Sequence, residues 1–416
     1  MPDRPAPPDL RCRSCGATLR DTFVDLGTSP LCQSVVRPAD LGRGETHYPL
    51  HVYVCRACSL VQIDESVPPE AHFQGEYAYA SSHSDSWVEH ARRFVASAVE
   101  RFGLGPESLV VEIASNDGYL LQHVVARGIP CLGVEPAANV ASAAVERGVP
   151  TRVAFFDAGE AESMVAEGLR ADLIVANNVL AHTPTLGSFL DGIARLLAPG
   201  GVASVEAPHL VRLVDEGQFD TIYHEHYSYF SFTAAERAFT RSGLAVVDVA
   251  ELPTHGGSLR YTLAHAGAGR VPTPAVAALR EREADWGVDR LETYTAFAER
   301  TRAVKRDLLD FLIDSRRAGR TVAGYGAPGK GNTLLNYCGI RTDLLDYTVD
   351  RNPYKQGTYT PGARIPVFAP GRVFETQPDY LLILPWNLRD EIEEQMAGIR
   401  AWGGQFVVPI PALEVW

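Results

Sequence analysis

The sequence contains no apolar run of membrane-spanning length, and its start, Met-Pro-Asp-Arg-Pro, lacks the apolar core of a secretory signal. We therefore expect a cytoplasmic protein with no membrane partner. Positive charge is also scarce, because 38 Lys and Arg residues stand against 51 Asp and Glu residues, for a net charge of −13. That balance disfavours a nucleic-acid partner. With 416 residues, 46% of them hydrophobic, the chain is long enough for two or three globular domains.

Cysteine is infrequent but follows a pattern. Seven cysteines in a reducing compartment indicate a metal site or free thiols rather than disulfides. Four of them form two Cys-x-x-Cys pairs, namely Cys12 with Cys15 and Cys55 with Cys58. Strand-like runs at 47–54 and 60–63 surround the second pair, which is typical of a zinc-ribbon hairpin. Because four thiolates fill a tetrahedral shell, the pattern predicts a structural zinc. Two unrelated pairs of thiols are the alternative.

A glycine-poor turn opens the central part of the chain. Residues 109–114 are mostly apolar and predict a buried parallel strand, residues 115–118 form a turn, and residues 119–127 have helical spacing. A second strand over 131–134 ends in Glu135, an acid at the position where nucleotide-binding folds hold a ribose. The turn lacks the Gly-x-Gly-x-x-Gly pattern, which argues against a nicotinamide enzyme. An ordinary βαβ unit with a chance acid is the alternative.

Further strands and helices alternate up to residue 264. We expect helices over 88–102, 139–147, 186–197 and 232–242, and strands over 151–156, 171–176, 202–206, 244–249 and 258–264. The last two strands are expected to form an antiparallel pair. Polar residues at the carboxyl ends of the strands mark the edge where open α/β sheets bind ligands. The residues predicted there for the cofactor are Ala114, Ser115, Asn116, Gly118, Glu135, Pro136, Asp157, Asn177 and Asn178.

A dense group of proton-transfer side chains follows the fifth strand. The run Tyr-His-Glu-His-Tyr at 223–227 offers two imidazoles, a carboxylate and two phenols. Its histidines are too close in sequence for a helical metal site, which needs i and i+4 spacing. His182 and the polar, aromatic segment 77–87 are candidates to approach the same cleft. The alternatives are a polar loop whose histidines cap or pack, and a plain linker at 77–87.

A second glycine-rich turn follows in the last third of the chain. After two helices predicted over 281–290 and 293–316, strands are expected over 321–325, 345–349, 380–384 and 405–408. The turn fits Gly-x-x-x-x-Gly-Lys, but Gly331 replaces the magnesium-binding Ser or Thr, which argues against nucleoside triphosphate hydrolysis. Lys330 at a helix start still suits a diphosphate. A helix-capping loop is the alternative.

The central domain resembles the class I S-adenosylmethionine-dependent methyltransferases. The run Glu-Ile-Ala-Ser-Asn-Asp-Gly at 112–118 stands where that family has its first motif, and Leu-Ala-Pro-Gly-Gly at 197–201 where it has the signature after its fourth strand. Over nearly the full length, the zinc pairs, Tyr-His-Glu-His-Tyr and Gly-Tyr-Gly-Ala-Pro-Gly-Lys-Gly-Asn resemble the sugar C-methyltransferases of deoxysugar biosynthesis, which act on dTDP-4-keto-hexoses at C3.

This resemblance implies an α/β protein with three parts. A zinc-binding module is expected over 1–75 and a methyltransferase domain with a Rossmann-like core over 76–265. A second Rossmann-like domain is expected over 266–416. The middle part would bind S-adenosylmethionine, and the last part would bind the dTDP-4-keto-deoxysugar.

The resemblance also implies a mechanism. In this family a base removes the C3 proton beside the C4 ketone, and the enolate attacks the methyl group. His226 is the candidate base, although the sequence leaves open whether His224 or His226 faces the cleft, and Glu225 is expected to orient an imidazole. The candidate donors to the enolate oxygen are Tyr223, Tyr77 and His182. The residues expected to bind the substrate are Lys330, Asn332, Arg260 and Tyr227.

Two other functions are compatible with the same residues. A small-molecule O- or N-methyltransferase would need a weaker base and no group that stabilises an enolate. A non-catalytic zinc-ribbon scaffold with an inactive methyltransferase core would not bind S-adenosylmethionine. The sequence is compatible with a monomer, and it leaves the oligomeric state, the identity of the sugar and the stereochemistry open.

Overall fold

The N-terminal strands form a small antiparallel sheet. The computed structural model describes residues 10–68 and 80–416. Its first strands are β1 (Asp21–Ser29), β2 (Tyr48–Val54) and β3 (Val61–Ile63). The pair β2–β3 confirms the expected hairpin, whereas β1 was not predicted. Its pairing with β2 contains two register shifts, which blur the alternation that would reveal a strand.

The central part of the chain alternates strands and helices as expected. Its elements are α1 (Asp85–Phe102), β4 (Val110–Ile113), α2 (Gln122–Val125), β5 (Cys131–Val134), α3 (Ala138–Glu146), β6 (Thr151–Arg152), α4 (Ala158–Ala166), β7 (Ala171–Asn177), α5 (Leu186–Leu196), β8 (Leu197–Pro208), α6 (Leu210–Asp215), β9 (Ser228–Tyr229), α7 (Phe232–Arg241), β10 (Leu244–Leu252) and β11 (Ser258–His265). The strand predicted over 151–156 is shorter than expected, the helix predicted over 119–127 is reduced to α2, and α4 was missed.

The central sheet has the order β10-β11-β8-β7-β4-β5-β6. All neighbouring strands are parallel except β11, which is antiparallel to both β10 and β8. The predicted antiparallel pair is therefore confirmed. The parallel strands begin at β4 and extend in both directions from it, so their carboxyl ends meet at one edge. Ligands bind at such a switch point in open α/β sheets.

The C-terminal part forms a second, mainly parallel sheet of order β14-β13-β12-β15-β16-β17. Its elements are α8 (Pro274–Trp286), α9 (Leu291–Arg317), β12 (Val322–Tyr325), α10 (Gly329–Cys338), β13 (Thr348–Val349), β14 (Val367–Phe368), α11 (Gly371–Thr376), β15 (Tyr380–Ile383), α12 (Arg389–Gln395), β16 (Gln405–Val408) and β17 (Glu414–Val415). The expected Rossmann-like arrangement is confirmed. Short 3₁₀ helices lie at Pro38–Asp40, Ser81–His83, Leu180–His182, Phe219–Thr221, Thr254–Gly256, Trp386–Leu388 and Ala397–Trp402.

The N-terminal sheet is joined to both other parts. Strand β9, which directly follows the Tyr-His-Glu-His-Tyr run, pairs with β3 and becomes the fourth strand of that sheet. On the other side, Phe23 of β1 stacks on Phe297 of α9, with ring centroids 4.6 Å apart. Strands of this sheet and of the C-terminal sheet share one hydrophobic cluster. Among the described residues, no helix is long and apolar enough to cross a membrane.

The close packing around Gly118, in the turn after β4, leads to a prediction about stability. Its φ is +77°, and a Cβ there would lie 3.0 Å from Val149 Cγ2. We expect Gly118→Ala to lower the free energy of unfolding by about 1–3 kcal/mol more than Gly148→Ala, because overpacking adds to the shared cost of a left-handed backbone. Gly148 is the matched control, since its φ is +81° and no heavy atom lies within 4 Å of its Cβ position. Equal losses in urea titrations would contradict the packing argument.

Candidate active site

A cavity of about 750 Å³ lies at the carboxyl edge of the central sheet. Its wall contains residues from the ends of β4, β5 and β7, and from the Tyr-His-Glu-His-Tyr run. The N-terminal part contributes Gln33, and the C-terminal part contributes Lys330, Lys355 and Asn387. The volume is within the range of sites that bind cofactors and small ligands. Several parts of the chain therefore meet at the edge where the sequence predicted a ligand.

The cofactor side of the cavity is formed around Glu135. One carboxylate oxygen of Glu135 accepts a hydrogen bond from the backbone N–H of Asn116 at 2.9 Å, and the other accepts one from Ala137 at 2.9 Å. Burial raises the pKa of this carboxyl group, and these two hydrogen bonds act in the opposite direction. The carboxylate is thereby held in place at the cavity wall, where its remaining lone pairs suit a ribose diol.

Three non-glycine residues of the cavity wall have left-handed backbones. Ala114, Asn116 and Asn178 have φ values of +55°, +50° and +55°. Strain of this kind costs about 1–3 kcal/mol per residue and is concentrated at ligand-binding sites. These backbone angles explain how a turn with few glycines adopts the conformation that nucleotide-binding loops need.

Unsatisfied amide atoms mark the next part of the wall. Both side-chain polar atoms of Asn177, and Oδ1 of Asn178, are buried without a hydrogen-bond partner among the described residues. Each such group costs about 1–3 kcal/mol unless a ligand or water satisfies it. Asp157 also lines the cavity, where it caps α4 through a 2.9 Å hydrogen bond from Glu160 N. These residues fit S-adenosylmethionine, which carries hydroxyl, amine and carboxylate groups.

Two predicted cofactor residues do not line the cavity. Ser115 is fully buried, and its hydroxyl lies 2.4 Å from where a Cβ of Gly133 would be. Gly118 packs against Val149 and Ala144. Both residues pack the turn, and the Ser115 hydroxyl has no hydrogen-bond partner among the described residues. Their contact with the cofactor stays a prediction. The other predicted cofactor residues at the cavity wall are Ala114, Asn116, Glu135, Pro136, Asp157, Asn177 and Asn178.

His226 lines the cavity with its imidazole held in one tautomer. Its Nδ1–H donates to the backbone oxygen of Thr221 at 2.8 Å, which leaves Nε2 as the acceptor. The ring lies 4.0 Å from that of Tyr223 and 4.7 Å from that of His182, measured between centroids. Burial lowers the pKa of His226 well below its usual value, and His182 lowers it further. The imidazole is therefore neutral and able to accept a proton.

His224 faces away from the cavity. Its Nε2 lies 3.1 Å from the backbone oxygen of Pro49, and its ring meets that of Tyr48 edge-on at 5.9 Å. Burial lowers the pKa of His224 as well. Of the two imidazoles of the run, only His226 lies at the cavity wall.

Glu225 has a different partner from the one expected. Among the described residues, its hydrogen-bond donor is the thiol of Cys32 at 3.8 Å, and no imidazole is bound to it. Burial raises the pKa of Glu225 to about 7, against the effects of the Cys32 hydrogen bond and the Lys355 charge. The prediction that Glu225 orients an imidazole is corrected, because the N-terminal segment supplies a closer partner. Glu225 still lines the cavity.

Three residues expected to bind the substrate lie outside the cavity wall. Tyr227 is fully buried, and its hydroxyl donates to the backbone oxygen of Val67 at 3.0 Å. Asn332 Nδ2 donates to the backbone oxygen of Cys32 at 2.6 Å. These two donors join segments of the fold, while Asn332 Oδ1 is buried without a hydrogen-bond partner among the described residues. Substrate binding by Tyr227 and Asn332 stays a prediction. Tyr77 lies outside the described residues.

Arg260, the third residue expected to bind the substrate, is engaged in an ion pair. Its guanidinium group forms an ion pair with Glu206, whose side chain is 0% exposed. His90 Nε2 also lies 3.1 Å from Glu206, and the guanidinium rests 4.5 Å from the ring of Phe94. Burial opposes ionisation of Glu206, but His90 and Arg260 outweigh it, so its pKa is lowered. A buried carboxylate needs this counter-charge, which leaves Arg260 committed.

Lys330, which the sequence predicts to bind a diphosphate, lies at the cavity wall. Its ammonium group donates to Asn387 Oδ1 at 2.7 Å and rests 4.5 Å from the ring centroid of Trp386. Burial lowers the pKa of Lys330, while the charge of Asp220 raises it. Burial also raises the pKa of Asp220 to about 6. The Lys330 amine therefore lies where it can bind an anionic ligand in the cavity.

Sequence reasoning missed several wall residues. Gln33, His255 and Lys355 all line the cavity, whereas Trp87, which also lines it, ends the segment 77–87 that the sequence marked as a candidate for the cleft. His255 precedes two glycines, and such a turn is the one local signal that marks it. Gln33 and Lys355 carry no local signal, because their positions depend on contacts between distant segments.

The four predicted metal ligands come together in one cluster. All ligand atoms of Cys12, Cys15, Cys55 and Cys58 lie within 4.8 Å of one another. Two sulfur pairs are 3.5 Å and 3.6 Å apart. Zinc bonds of about 2.3 Å at tetrahedral angles need sulfurs about 3.8 Å apart, so the cluster fits zinc. Its four thiol ligands leave no position for a substrate.

The fold and the cavity define the class. A parallel Rossmann-like core with one antiparallel strand, and a strand-end cavity suited to a nucleoside cofactor, are those of a class I S-adenosylmethionine-dependent methyltransferase. Comparison with protein families agrees. A zinc binding domain family matches residues 12–73, a methyltransferase domain family matches residues 87–249, and the C-methyltransferase C-terminal domain family matches residues 253–411.

Comparison with individual proteins specifies the family more closely. The chain is 40% identical to C-methyltransferase NovU of Streptomyces niveus, over 96% of this chain and 95% of that one. It is 29% identical to a ubiquinone biosynthesis O-methyltransferase of Methylobacterium sp. (strain 4-46), over 39% of this chain and 71% of that one. A solved S-adenosylmethionine-dependent methyltransferase from Clostridium acetobutylicum is 11% identical, with a TM-score of 0.35, over 43% of this chain and 92% of that one. The chain belongs to the S-adenosylmethionine-dependent C-methyltransferases.

The sulfur cluster predicts one bound zinc per chain. We expect Cys55→Ser to lose zinc, because a serine hydroxyl does not replace a thiolate ligand. Metal analysis of the purified protein is the measurement. Cys131→Ser, outside the cluster, is the control and should keep full metal content. Zinc retained in full by Cys55→Ser would show that the cluster is not the site.

The position of Glu135 at the cavity wall leads to a prediction about cofactor affinity. We expect Glu135→Ala to weaken S-adenosylmethionine binding by about 1–3 kcal/mol, since buried polar partners are left unpaired. Calorimetry measures the dissociation constant, with Glu146→Ala, an exposed glutamate of α3, as control. An unchanged constant in Glu135→Ala would refute its assignment to the ribose.

Proposed function

We propose that this C-methyltransferase transfers the methyl group to C3 of a dTDP-4-keto-deoxysugar, in the biosynthesis of unusual deoxysugars for antibiotics. The observation that carries the proposal is His226, a neutral imidazole with a free Nε2 at the cavity wall. It lies in the same cavity as the strained cofactor loops on one side and Lys330 on the other. Carbon methylation needs such a base, because the nucleophile is a carbanion equivalent.

The reaction begins with proton removal. Nε2 of His226 accepts the C3 proton, and the electron pair of that C–H bond forms the C3–C4 double bond of an enolate, with the charge on the C4 oxygen. Tyr223 and His182, whose rings contact that of His226, are the proposed donors to this oxygen, together with Tyr77. A positioned base contributes about 10²–10⁴-fold to the rate, and oxyanion donors a comparable factor.

The second step forms the new carbon–carbon bond. S-adenosylmethionine supplies an electrophilic methyl group when it is bound. The role of the chain is to hold the enolate carbon in line with that group, with Glu135 and the loops at Asn116 and Asn178 fixing the nucleoside end. The low pKa of the His226 imidazole makes it a weak base in the free protein. The enolate charge beside it would stabilise the imidazolium that forms.

Each of the three proposed parts of the chain has its own binding role. The module over 1–75 would hold zinc, the domain over 76–265 would bind S-adenosylmethionine, and the domain over 266–416 would bind the sugar nucleotide. Lys330 at the start of α10 supports this proposal, because a cation at a helix N-terminus favours a diphosphate. An O- or N-methyltransferase, by contrast, would need only a weak base and no donors to an enolate oxygen.

The position of the methyl group is part of the proposal. C3 and C5 of a 4-keto sugar both neighbour the ketone, so the same enolate chemistry is open to either carbon. Mass spectrometry and NMR of the product formed from a set of dTDP-4-keto sugars identify the methylated atom. A methyl group at C5 would correct the position and keep the mechanism, whereas one on oxygen or nitrogen would overturn both.

Replacement of the proposed base gives a direct test. We expect His226→Asn to bind both ligands and to lower kcat by about 10²-fold or more, because no acceptor remains for the C3 proton. It should also abolish solvent deuterium exchange at C3 in the absence of S-adenosylmethionine, where the parent enzyme shows it. His224→Asn is the matched control, since that imidazole faces Pro49. Normal turnover in His226→Asn, with loss in Tyr223→Phe, would move the base to Tyr223.

A further inference from the structure

The loop between β10 and β11 has an unusual backbone. His255 has φ +56° and ψ +24°, in the left-handed region that non-glycine residues rarely adopt. Gly256 and Gly257 follow with φ values of +87° and +110°. Three consecutive residues with positive φ force a tight reversal, and the first of them carries an imidazole. A histidine held there at a cost in strain is a candidate for function.

The surrounding structure holds this loop firmly. Gln218 Nε2 donates to the backbone oxygen of Gly256 at 2.8 Å, and His209 N donates to that of Gly257 at 3.0 Å. A Cβ at Gly256 would lie 2.7 Å from Trp386 Cη2. The loop therefore has little room to relax, so the strain at His255 is maintained.

The loop brings His255 to the same part of the cavity wall as Lys330. The His255 ring meets Trp87 edge-on, with centroids 5.0 Å apart, and both residues line the cavity. Trp386 connects the two sides, because it touches the loop at Gly256 and carries the Lys330 ammonium group 4.5 Å from its ring centroid. One group comes from the central domain and the other from the C-terminal domain.

The charges at this place favour an added anion. Desolvation and then the charge of Lys330 lower the pKa of His255 to about 4, against the opposing charge of Glu206. Two carboxyl groups act here. Glu206, whose charge raises the pKa of His255, is paired with Arg260. Asp220, whose charge raises the pKa of Lys330, accepts a 2.8 Å hydrogen bond from Trp386 Nε1 through Oδ2. A bound anion would stabilise the ammonium group and accept the imidazole N–H.

We propose that His255 and Lys330 together bind the diphosphate of the substrate, with His255 as an N–H donor beside the Lys330 ammonium group. This inference rests on the proposed function, since it takes a nucleoside diphosphate sugar as the ligand. It assigns to the loop between β10 and β11 a direct contact with substrate, and it explains why strain is maintained at a histidine there.

His255→Gly separates this role from a structural one. Glycine accepts the left-handed backbone, so the variant should be at least as resistant to thermal unfolding as the parent. We expect its dissociation constant for thymidine 5′-diphosphate to rise by about 10-fold or more, as expected for the loss of a hydrogen bond to a charged group. The constant for S-adenosylmethionine should stay unchanged. Calorimetry with each ligand on the full-length zinc-loaded protein provides both values.

Matched variants complete the experiment. Gln377→Gly relieves the same kind of strain, at φ +50° on an exposed residue, and should change neither affinity. Lys330→Ala should weaken thymidine 5′-diphosphate without affecting S-adenosylmethionine. His255→Asn keeps a donor and tolerates the backbone, so it should recover part of the affinity that His255→Gly loses.

The outcomes distinguish this inference from the proposed function. Unchanged diphosphate affinity in His255→Gly, with loss in Lys330→Ala, would overturn the role of His255 alone. Loss of S-adenosylmethionine affinity in His255→Gly would also overturn it, because the loop would then act through general distortion. A parent protein that binds S-adenosylmethionine but not thymidine 5′-diphosphate would overturn the proposed substrate class and this inference with it.

Discussion

The pairing of β9 with β3 is the contact on which the site depends. Ser228 and Tyr229 align with Gln62 and Val61, and Ile63 N donates to the backbone oxygen of Tyr227 at 3.1 Å. This pairing ends the Tyr-His-Glu-His-Tyr run in the sheet of the zinc module. The run itself contains a turn at residues 224–225, closed by a hydrogen bond from His226 N to the backbone oxygen of Tyr223 at 2.9 Å. Tyr223, Glu225 and His226 line the cavity, whereas His224 meets Pro49.

The zinc cluster supports that pairing directly. Arg13 lies between Cys12 and Cys15, and its backbone N–H donates to Gln62 Oε1 at 2.9 Å. The guanidinium group of Arg13 donates to the backbone oxygen of Ile63 at 2.6 Å. The same guanidinium lies 5.3 Å from the ring centroid of Tyr227. A metal that takes no part in the chemistry is therefore linked, through β3 and β9, to the residues that line the active-site cavity.

The pKa shifts at the cavity have one common cause, which is the removal of water from the charged groups. Burial lowers the pKa of His226 and Lys330 at the wall and raises that of Glu225 to about 7. Behind the wall, burial raises the pKa of Asp220 to about 6. Each shift favours the neutral form of the group. The charges of the cofactor and of an anionic substrate would then act in a medium of low polarity, where their effects on a nearby proton transfer are large.

The sequence by itself determined the features that depend on short spacing. The two Cys-x-x-Cys pairs, the alternation of strands and helices, and the acids at strand ends are local patterns, so the zinc cluster, both Rossmann-like sheets and the cavity edge were predictable. The tertiary structure decided the partners of individual side chains. Glu225 meets Cys32 from 193 residues away, and Arg260 is committed to Glu206. Such contacts depend on how distant strands pair and pack, which no local period encodes.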